Sequence, residues 1–412
     1  MKERPIDKLL NAQFKILSYE MSGLDLCFML AAFVIGAIIR VKIIDIQSAD
    51  YYGFLEKWVD SMREGGGLKS LSQEITNYAS AYTLYMTLIS YLKASPLYML
   101  KLFSYVFDFI AAFSAFALVH DITKDVKKSI GAFTLVILSP AALINSGWFC
   151  QCDIIYTCFL VMSFRSVYKG ENTKSAVFLA LSFMFKLQAV FFLPFYVIMW
   201  IKGKNISLVK LLYMPLVFFI SVLPAWIFGG DPTRLLTIYF SQADYYPWGT
   251  LNYPNLYVFL DENMPDTTSR TDSLCGAGMW ITLIVTGMIA YYICSKRIEM
   301  TGKVMMALLM FSVSCLTYFL PHMHDRYNFI FDIFVMIYVA TDIKKLPLAA
   351  LASLVTVLNY MVYLVGHSVM DPLYLAILNT VLLVLVGKEL FDAVNEAPEL
   401  KVEPVPVANT NK

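Results

Sequence analysis

The stretch "PHMHDRYNF", residues 321–329, gathers ionisable side chains between two long apolar runs. It holds two of the four histidines of the chain, His322 and His324, followed directly by Asp325 and Arg326. Ionisable residues at membrane depth are costly and usually mark a substrate or ion path. Arg326 could instead pair with Asp325 or with a lipid phosphate, and the histidines could be ordinary interfacial residues.

Other isolated polar residues stand beside apolar runs elsewhere in the chain. They are Asp50 in "SADYYGFLEKW", Asp153 in "GWFCQCDIIY", Lys186 in "FKLQAVF", and Asn252 and Asn255 in "LNYPNLY". Each has a simpler explanation: the aspartates could cap the helices that follow them, and the lysine could extend to the lipid headgroups. Their convergence at one level of a membrane would favour a shared site.

The composition identifies the elements that must hold these residues. Of 412 residues, 58% are hydrophobic and 15% are charged, and the mean hydropathy is +0.63. Apolar stretches of about twenty residues, the length that crosses a bilayer, recur from Asp25 to Val386. The expected fold class is therefore an all-α polytopic membrane protein. The 32 basic and 31 acidic residues nearly balance, so no overall field would attract nucleic acid.

Lysine and arginine set the orientation, because short basic loops stay on the cytoplasmic side. The basic clusters fall at residues 2–15, 124–128, 165–174, 202–210, 296–303, 344–345 and 388–412. The predicted spans lie near residues 25–44, 97–119, 129–146, 154–168, 206–228, 277–295, 304–320, 327–341, 346–366 and 372–387. A hairpin of two short helices with Lys186 near its apex brings the total to about twelve membrane segments.

This topology divides the chain into three parts. Residues 1–24 form a cytoplasmic segment, 25–390 the transmembrane domain, and 391–412 a polar, disordered cytoplasmic tail. The domain has two large outer loops, 45–96 and 229–276. The first loop contains an apolar stretch, 78–92, that is shorter than the ~20 residues of a full span and is interpreted as an interfacial or re-entrant helix. All the isolated polar residues then lie at the outer boundary.

Several motifs in this order resemble a bacterial glycosyltransferase of the GT-C superfamily, with bacterial proteins akin to the mannosyltransferase of GPI-anchor synthesis as the nearest relatives. The motifs are "ADYYGFLEKWVDSMREGGG", "NYASAYTLYM", "GWFCQCDIIYTCFL", "FKLQAVFFLPF", "NYPNLYVFL" and "LPHMHDRYNF". The resemblance covers about residues 25–340. Asp325 stands where relatives often have glutamate, and Cys150 where they commonly have glycine.

The resemblance implies an enzyme of the bacterial plasma membrane with its active site on the extracytoplasmic side. Its donor would be a polyprenyl-phosphate-linked sugar and its acceptor a glycan or lipid of the cell envelope. Asp50 would be the general base of an inverting displacement. The residues expected to bind the donor phosphate are Arg326, Lys186, His324 and His322. Those expected to contact acceptor or sugar, or to serve as a second acid, are Asp153, Gln151, Gln188, Asn255, Asp325 and Tyr327.

The resemblance allows a divalent cation, Mg²⁺ or Mn²⁺, although no metal ligand is assigned, and it suggests mannose only through the relatives. Two other functions fit part of the pattern. A polymerase or ligase of lipid-linked polysaccharide would use similar substrates. In a flippase or transporter, polar residues should continue across the membrane to the cytoplasmic side. In this sequence they do not, because Asp108 and Asp332 are the only acids clearly inside predicted spans.

Overall fold

A computed structural model gives the fold, and it describes residues 4–243, 248–260 and 269–400. Parts of the predicted outer loop 229–276 and of the predicted tail 391–412 lie outside these described residues.

Helices form most of the described regular structure, because apolar segments within a bilayer must satisfy their own backbone hydrogen bonds. The helices are α1 (Pro5–Asn11), α2 (Gly23–Lys42), α3 (Glu56–Glu64), α4 (Ser80–Ser90), α5 (Pro96–Thr123), α6 (Val126–Ile137), α7 (Pro140–Ala142), α8 (Asp153–Tyr168), α9 (Asn172–Phe185), α10 (Leu193–Ile201), α11 (Tyr213–Ile227), α12 (Pro232–Ala243), α13 (Leu256–Leu260), α14 (Ser269–Ser295), α15 (Gly302–Phe319), α16 (Phe329–Thr341), α17 (Leu346–Val365) and α18 (Pro372–Asn395). The strands are β1 (Gln13–Ile16), β2 (Tyr19–Ser22), β3 (Thr250–Leu251) and β4 (Met323–His324). The helical fold class is confirmed.

Eight helices among the described residues are long and apolar enough to cross a membrane, by length and composition. They are Gly23–Lys42, Pro96–Thr123, Val126–Trp148, Leu208–Ile227, Ser273–Ser295, Gly302–Phe319, Ile343–Val365 and Pro372–Asn395. The chain is therefore a multi-pass membrane protein. The predicted spans 154–168 and 327–341 correspond to α8 and α16, which have only 16 and 13 residues.

The most buried helix of the bundle is α16. All of its residues from Phe329 to Ala340 are buried, and it packs against α6, α8, α15 and α17. Helix α2, by contrast, is mostly exposed, with large apolar side chains such as Phe28 and Ile38 facing outward. A helix that is apolar on its exposed face suits contact with lipid.

The basic segments that the sequence assigned to one side lie together in the structure. The Lys128 ammonium donates to the carbonyl oxygen of Thr341 at 2.8 Å, and Lys303 pairs with Glu396 at 2.6 Å. Helix α16 ends at Thr341 but begins shortly after Arg326, so it runs from the candidate site to this basic end. Its 13 residues span about 20 Å. The candidate site and the basic clusters are therefore at opposite ends of the bundle.

The predicted break in the helical hairpin is present. Helix α9 ends at Phe185, and Lys186 has an extended backbone with φ −155° and ψ 140°. A short turn, Leu187–Phe192, then leads into α10. Helix α9 packs against α8 and α11, whereas α10 packs against α14 and α15. The break therefore places the lysine between two groups of helices.

Two other segments differ in length from their predicted bounds. The stretch predicted as an interfacial helix over 78–92 forms α4, which has 11 residues and packs on α3, α5, α9 and α11. Helix α18 continues to Asn395, five residues into the segment predicted as a tail, because Ala393 and Val394 are buried against the bundle.

An ion pair joins α2 to α5 inside the bundle. Arg40 Nε lies 2.7 Å from Asp108 Oδ2, and both side chains are 1% exposed. Arg40 Nη1 also donates to the carbonyl oxygens of Gly36 and Ile137, and the Ser146 hydroxyl donates to Asp108 Oδ2 at 2.6 Å. One of the two acids predicted inside spans therefore has a structural partner.

We expect Arg40→Ala to lower the melting temperature of the detergent-solubilised protein clearly. Removing one partner of a buried pair leaves an uncompensated charge and costs about 3–5 kcal/mol in soluble proteins. The double variant Arg40→Met/Asp108→Leu should recover most of the loss. Lys388→Ala, which breaks an exposed pair with Asp392 at 3.7 Å, is the control and should change little. Equal melting temperatures for Arg40→Ala and wild type would contradict this role.

Candidate active site

Asp50 is placed by a buried lysine beneath the loop that follows α2. Lys101, in α5, is fully buried. Its ammonium donates to the carbonyl oxygens of Ile43, Ile44 and Ile46 at 3.0, 2.9 and 2.6 Å. These carbonyls belong to the turn that follows α2, so a single charged group binds three of them and fixes the path of the chain toward Asp50.

Ser48 joins this loop to the segment that enters α8. Its hydroxyl donates to the carbonyl oxygen of Phe149 at 2.8 Å and accepts from the amide of Tyr51 at 3.1 Å. The same contact brings the side chains of Asp50 and Gln151 together. Gln151 Nε2 donates to Asp50 Oδ2 at 2.9 Å, so the predicted base has a neutral hydrogen-bond donor beside it.

Tyr78 sets the orientation of the Gln151 amide, and the sequence did not predict it. The Tyr78 hydroxyl donates to Gln151 Oε1 at 2.7 Å. Burial raises the pKa of Tyr78, so the phenol keeps its proton and remains the donor. With its oxygen occupied, Gln151 directs its NH₂ group at Asp50. The signal for this residue was its place in the motif "NYASAYTLYM".

The turn that carries Arg326 is held by a short parallel pairing. Strand β4 pairs with β3, with Thr250 opposite Met323 and Leu251 opposite His324. The amide of Asp325 also donates to the carbonyl oxygen of Leu251 at 3.1 Å. The loop after α12 and the turn between α15 and α16 are therefore fixed to each other by their backbones.

Arg326 faces Asp50. Arg326 Nη2 lies 3.6 Å from Asp50 Oδ2, and its Nε lies 3.6 Å from Asp325 Oδ1. The guanidinium also lies over the ring of Phe149, 5.4 Å from the ring centroid. The residue predicted as base and the cation predicted to bind phosphate are therefore neighbours, although they are far apart in sequence.

The guanidinium of Arg326 is charged and incompletely bonded. Burial lowers its pKa, but the carboxylates of Asp50 and Asp325 raise it more, and the net direction is upward. Among the described residues, its Nε and Nη1 have no hydrogen-bond partner. Buried polar groups in proteins are nearly always hydrogen-bonded, so a group with spare donors and a fixed charge is suited to binding an anion.

Lys186 and Asp153 form a second ion pair. The Lys186 ammonium contacts Asp153 Oδ1 directly, with the aspartate fully buried and the lysine 12% exposed. Asn145 Nδ2 donates to the other oxygen, Asp153 Oδ2, at 2.8 Å, and Asn145 Oδ1 accepts from the amide of Asp153 at 3.3 Å. Asp153 therefore holds Lys186 in place, and Asn145, which the sequence did not predict, holds Asp153.

An open cavity lies among these groups, with about 850 Å³ of empty space including its mouth. The predicted site residues that line it are Asp50, Gln151, Lys186, Gln188, His324, Arg326 and Tyr327. Residues that the sequence did not predict also line it, among them Phe54, Trp58, Asn77, Tyr78 and Gln242. Charged and polar side chains converge on this cavity beside aromatic rings, and convergent polar groups in a cavity are typical of a small-molecule site.

The two histidines have different surroundings. His324 lines the cavity, and its Nδ1 contacts the Asp325 carboxylate. His322 has φ +61°, in the left-handed region that side chains rarely adopt. Its Nδ1 lies 2.7 Å from the carbonyl oxygen of Trp248. Of the two, His324 is therefore the one positioned to donate into the cavity.

Asn255 and Asp325 are buried beside the site and are not among the described residues that line the cavity. Asn255 is fully buried, and its Oδ1 accepts from the amide of Tyr257 at 3.2 Å, at the start of α13. This contact suits a structural cap. Asp325 instead contacts His324 and Arg326. It therefore positions two side chains that line the cavity, without lining it itself.

The carboxylates do not fit a metal site. Asp50 accepts from Gln151, and both oxygens of Asp153 have donors from the chain. No group of three or more His, Cys, Asp or Glu side chains suited to a metal ion is found in the described parts of the chain. The neighbouring cysteines, Cys150 and Cys152, are free, and burial raises the pKa of both thiols to about 12. We derive no step through a metal ion.

Comparison with known proteins adds no relative: no protein-family model and no curated protein matches the chain.

Proposed function

We propose that the chain is an integral membrane glycosyltransferase that moves a sugar from a polyprenyl-phosphate donor to a glycan or lipid acceptor of the cell envelope. Membership of the GT-C superfamily, a bundle of about twelve membrane segments and a place in the bacterial plasma membrane belong to this proposal. The shorter helices α8, α9, α10 and α16 would complete that number of segments.

One observation carries the proposal: the Asp50 carboxylate and the Arg326 guanidinium face each other at 3.6 Å in one open cavity. Transfer of a sugar from a phosphate needs a base for the acceptor hydroxyl and a cation for the leaving phosphate. The anomeric carbon, where the acceptor attacks, is one bond from the phosphate oxygen that leaves. The base and the cation must therefore line the same cavity. Lys186 and His324 add donors on the phosphate side.

The proposed step is a single displacement. The acceptor oxygen attacks the anomeric carbon and forms the new glycosidic bond, while the bond from that carbon to the phosphate oxygen breaks. The electron pair leaves with the polyprenyl phosphate, which Arg326 and Lys186 stabilise, and the hydroxyl proton passes to Asp50. The products are the glycosylated acceptor and polyprenyl phosphate.

The burial and contacts of the other carboxylates support the proposal of inversion. A retaining enzyme needs a second carboxylate free to attack the anomeric carbon. Asp153 is fully buried with both oxygens occupied. Asp325 is buried and contacts His324. Asp50 is the partly exposed one, at 19%, which supports a single displacement with one base.

Arg326 is shared between two carboxylates at 3.6 Å. Ion pairs at this distance are longer than direct charge-assisted hydrogen bonds, which measure about 2.7–2.9 Å. A phosphate can therefore compete for the guanidinium. Its binding would draw Arg326 away from Asp50, so donor binding would leave the carboxylate free to meet the acceptor hydroxyl.

The proposed extracytoplasmic location depends on the basic residues. Their clusters lie at the end of the bundle opposite the cavity, and short basic loops stay in the cytoplasm. The cavity would then open to the outside, where polyprenyl-phosphate sugars are used by the enzymes that this chain resembles.

The acids inside the helices do not favour a transporter. Asp108 is paired with Arg40, and Asp332 accepts a hydrogen bond from the Thr356 hydroxyl at 2.7 Å. Both therefore have partners within the protein. A translocation path would instead need polar groups that continue from the cavity to the basic end.

The test is turnover of a donor panel by the purified protein in liposomes. We would offer polyprenyl-phosphate mannose, glucose and galactose, each radiolabelled in the sugar, together with envelope acceptors. The expected result is release of polyprenyl phosphate from at least one donor and a single added sugar of inverted anomeric configuration. Release from none of them would contradict the proposal, and transfer of a long preassembled glycan would favour a polymerase or ligase.

We expect Tyr78→Phe to reduce turnover about threefold to tenfold, the value of one hydrogen bond. Without the phenol, the Gln151 amide can rotate and present its oxygen to Asp50. Because Tyr78 acts on Asp50, kcat should fall while the donor KM stays nearly constant. The control is Tyr82→Phe, whose hydroxyl is buried without a hydrogen-bond partner among the described residues. Equal losses in the two variants would contradict this role.

A further inference from the structure

The helical segment after Asp50 presents an aromatic face to the cavity. Asp50, Phe54 and Trp58 all line the cavity and recur at nearly helical spacing, through a wide turn over Tyr51–Leu55 and then α3. The eight residue steps from Asp50 to Trp58 span about 12 Å of helix. This aromatic face therefore extends from the proposed base, Asp50, for a distance longer than one sugar ring.

The indole of Trp58 is held in position. Its ring lies 5.6 Å from the ring of Tyr78 at an interplanar angle of 68°, and 5.8 Å from the ring of Phe54. Edge-to-face packing of this kind fixes an aromatic side chain. Trp58 therefore has a fixed orientation, as a ring that stacks on a ligand requires.

Uncharged amides supply other polar groups of the cavity wall. Asn77, Gln188 and Gln242 line it. Gln188 is 6% exposed, and its Oε1 has no hydrogen-bond partner among the described residues. An amide offers both a donor and an acceptor, as a sugar hydroxyl does. The unpartnered oxygen therefore points to a neutral ligand rich in hydroxyl groups.

Helix α3 offers no cation to an anionic ligand in the cavity. Its acids Glu56, Asp60 and Glu64 outnumber its bases Lys57 and Arg63, and Arg63 already pairs with Asp60 at 2.9 Å. The ammonium and guanidinium groups lining the cavity belong to Lys186 and Arg326, which face carboxylates at the proposed phosphate end. None of the charged side chains of α3 is among the residues that line the cavity, so a carboxylate or phosphate lying along this helix would find no cation on it.

We infer that this face is the acceptor subsite and that the acceptor is a neutral glycan rather than an anionic one. A ring next to the reacting sugar stacks on Trp58 and Phe54, and the terminal hydroxyl reaches Asp50. This inference rests on the proposed function and adds to it the class of acceptor. Neutral sugars present C–H faces that pack on aromatic rings, while their hydroxyls bond to the amides.

The test separates donor cleavage from acceptor binding. The protein in liposomes receives a labelled donor that it turns over, first alone to measure transfer to water, and then with increasing amounts of a neutral alkyl oligomannoside or oligoglucoside. An oligosaccharide of the same length with uronic acid units serves as the anionic probe. We expect saturable stimulation by a neutral probe and a much weaker response to the uronate.

Trp58→Leu should raise the KM of the neutral probe about tenfold, a larger factor than any change in its transfer to water, while Trp58→Tyr should keep most of the affinity. Trp226→Leu, at an exposed tryptophan of α11, is the matched control. If donor cleavage persists but Trp58→Leu keeps the wild-type KM, or if the uronate stimulates equally, the acceptor inference alone is overturned. If wild type cleaves no donor, the proposed function fails and the inference with it.

Discussion

Arg326→Ala is expected to slow sugar transfer about a hundredfold or more, the usual cost of removing a preorganised donor from a developing negative charge, about 3 kcal/mol. Arg326 is charged, faces the cavity and has donors without partners among the described residues. It stands where the leaving phosphate would gain charge. The loss should appear in kcat and in donor affinity, measured as initial rates over a donor titration.

Two further variants distinguish charge from geometry. Arg326→Lys keeps a cation but removes the planar fork, so we expect recovery of only part of the rate. Arg234→Ala removes a partly exposed arginine that donates to the carbonyl oxygen of Gln73 at 3.3 Å, and it should behave as wild type. The melting temperature checks that each protein is folded. A folded Arg326→Ala variant with normal kcat and donor KM would exclude the phosphate role.

Helix positions could be predicted from the sequence because a long apolar segment in a membrane can satisfy its backbone hydrogen bonds in few ways, chiefly as a helix. The spans near 97–119 and 304–320 match α5 and α15 closely, and the break at Lys186 followed from the basic residues on both sides. The number of membrane crossings is harder to predict. Helices such as α8 and α16 are short and mostly buried among their neighbours. Their lengths therefore need not match the thickness of the bilayer.

The residues around Asp50 and Arg326 could be predicted only in part. Their presence at one end of the bundle followed from the topology, since both adjoin the same ends of helices. The contacts among them depend on long-range backbone geometry that sequence spacing does not show. The pairing of β3 with β4 decides that His324 lines the cavity and that His322 contacts Trp248.

Neutral residues were the hardest to predict. Asn145 fixes Asp153 and Tyr78 fixes Gln151, yet neither carries a charge that stands out in an apolar sequence. Trp58 resembles any tryptophan at a membrane boundary until the structure places it beside Asp50. A buried charge can be found in the sequence because a charged residue is conspicuous within an apolar segment. A neutral residue that orients a charge is recognised only from its contacts in the structure.

Asp50→Asn is expected to reduce kcat by about 10²–10⁴-fold, the range for loss of a general base, without weakening donor binding. The amide is nearly the same size and can still contact Gln151. Because Asp50 and Arg326 are 3.6 Å apart, removing the negative charge frees the guanidinium for phosphate. The donor KM should therefore stay the same or fall while kcat collapses, which simple misfolding would not produce.

Asp45→Asn is the matched control, since Asp45 lies in the same loop, is exposed, and accepts a hydrogen bond from the Tyr98 hydroxyl at 2.5 Å. It should retain wild-type kcat. Asp50→Glu restores a carboxylate one methylene farther out, and we expect a rate between those of wild type and Asp50→Asn. Turnover by Asp50→Asn equal to that of Asp45→Asn would show that another group accepts the proton. The pairing of Asp50 with Arg326 would then be structural, and the acceptor hydroxyl would have to lie elsewhere in the cavity.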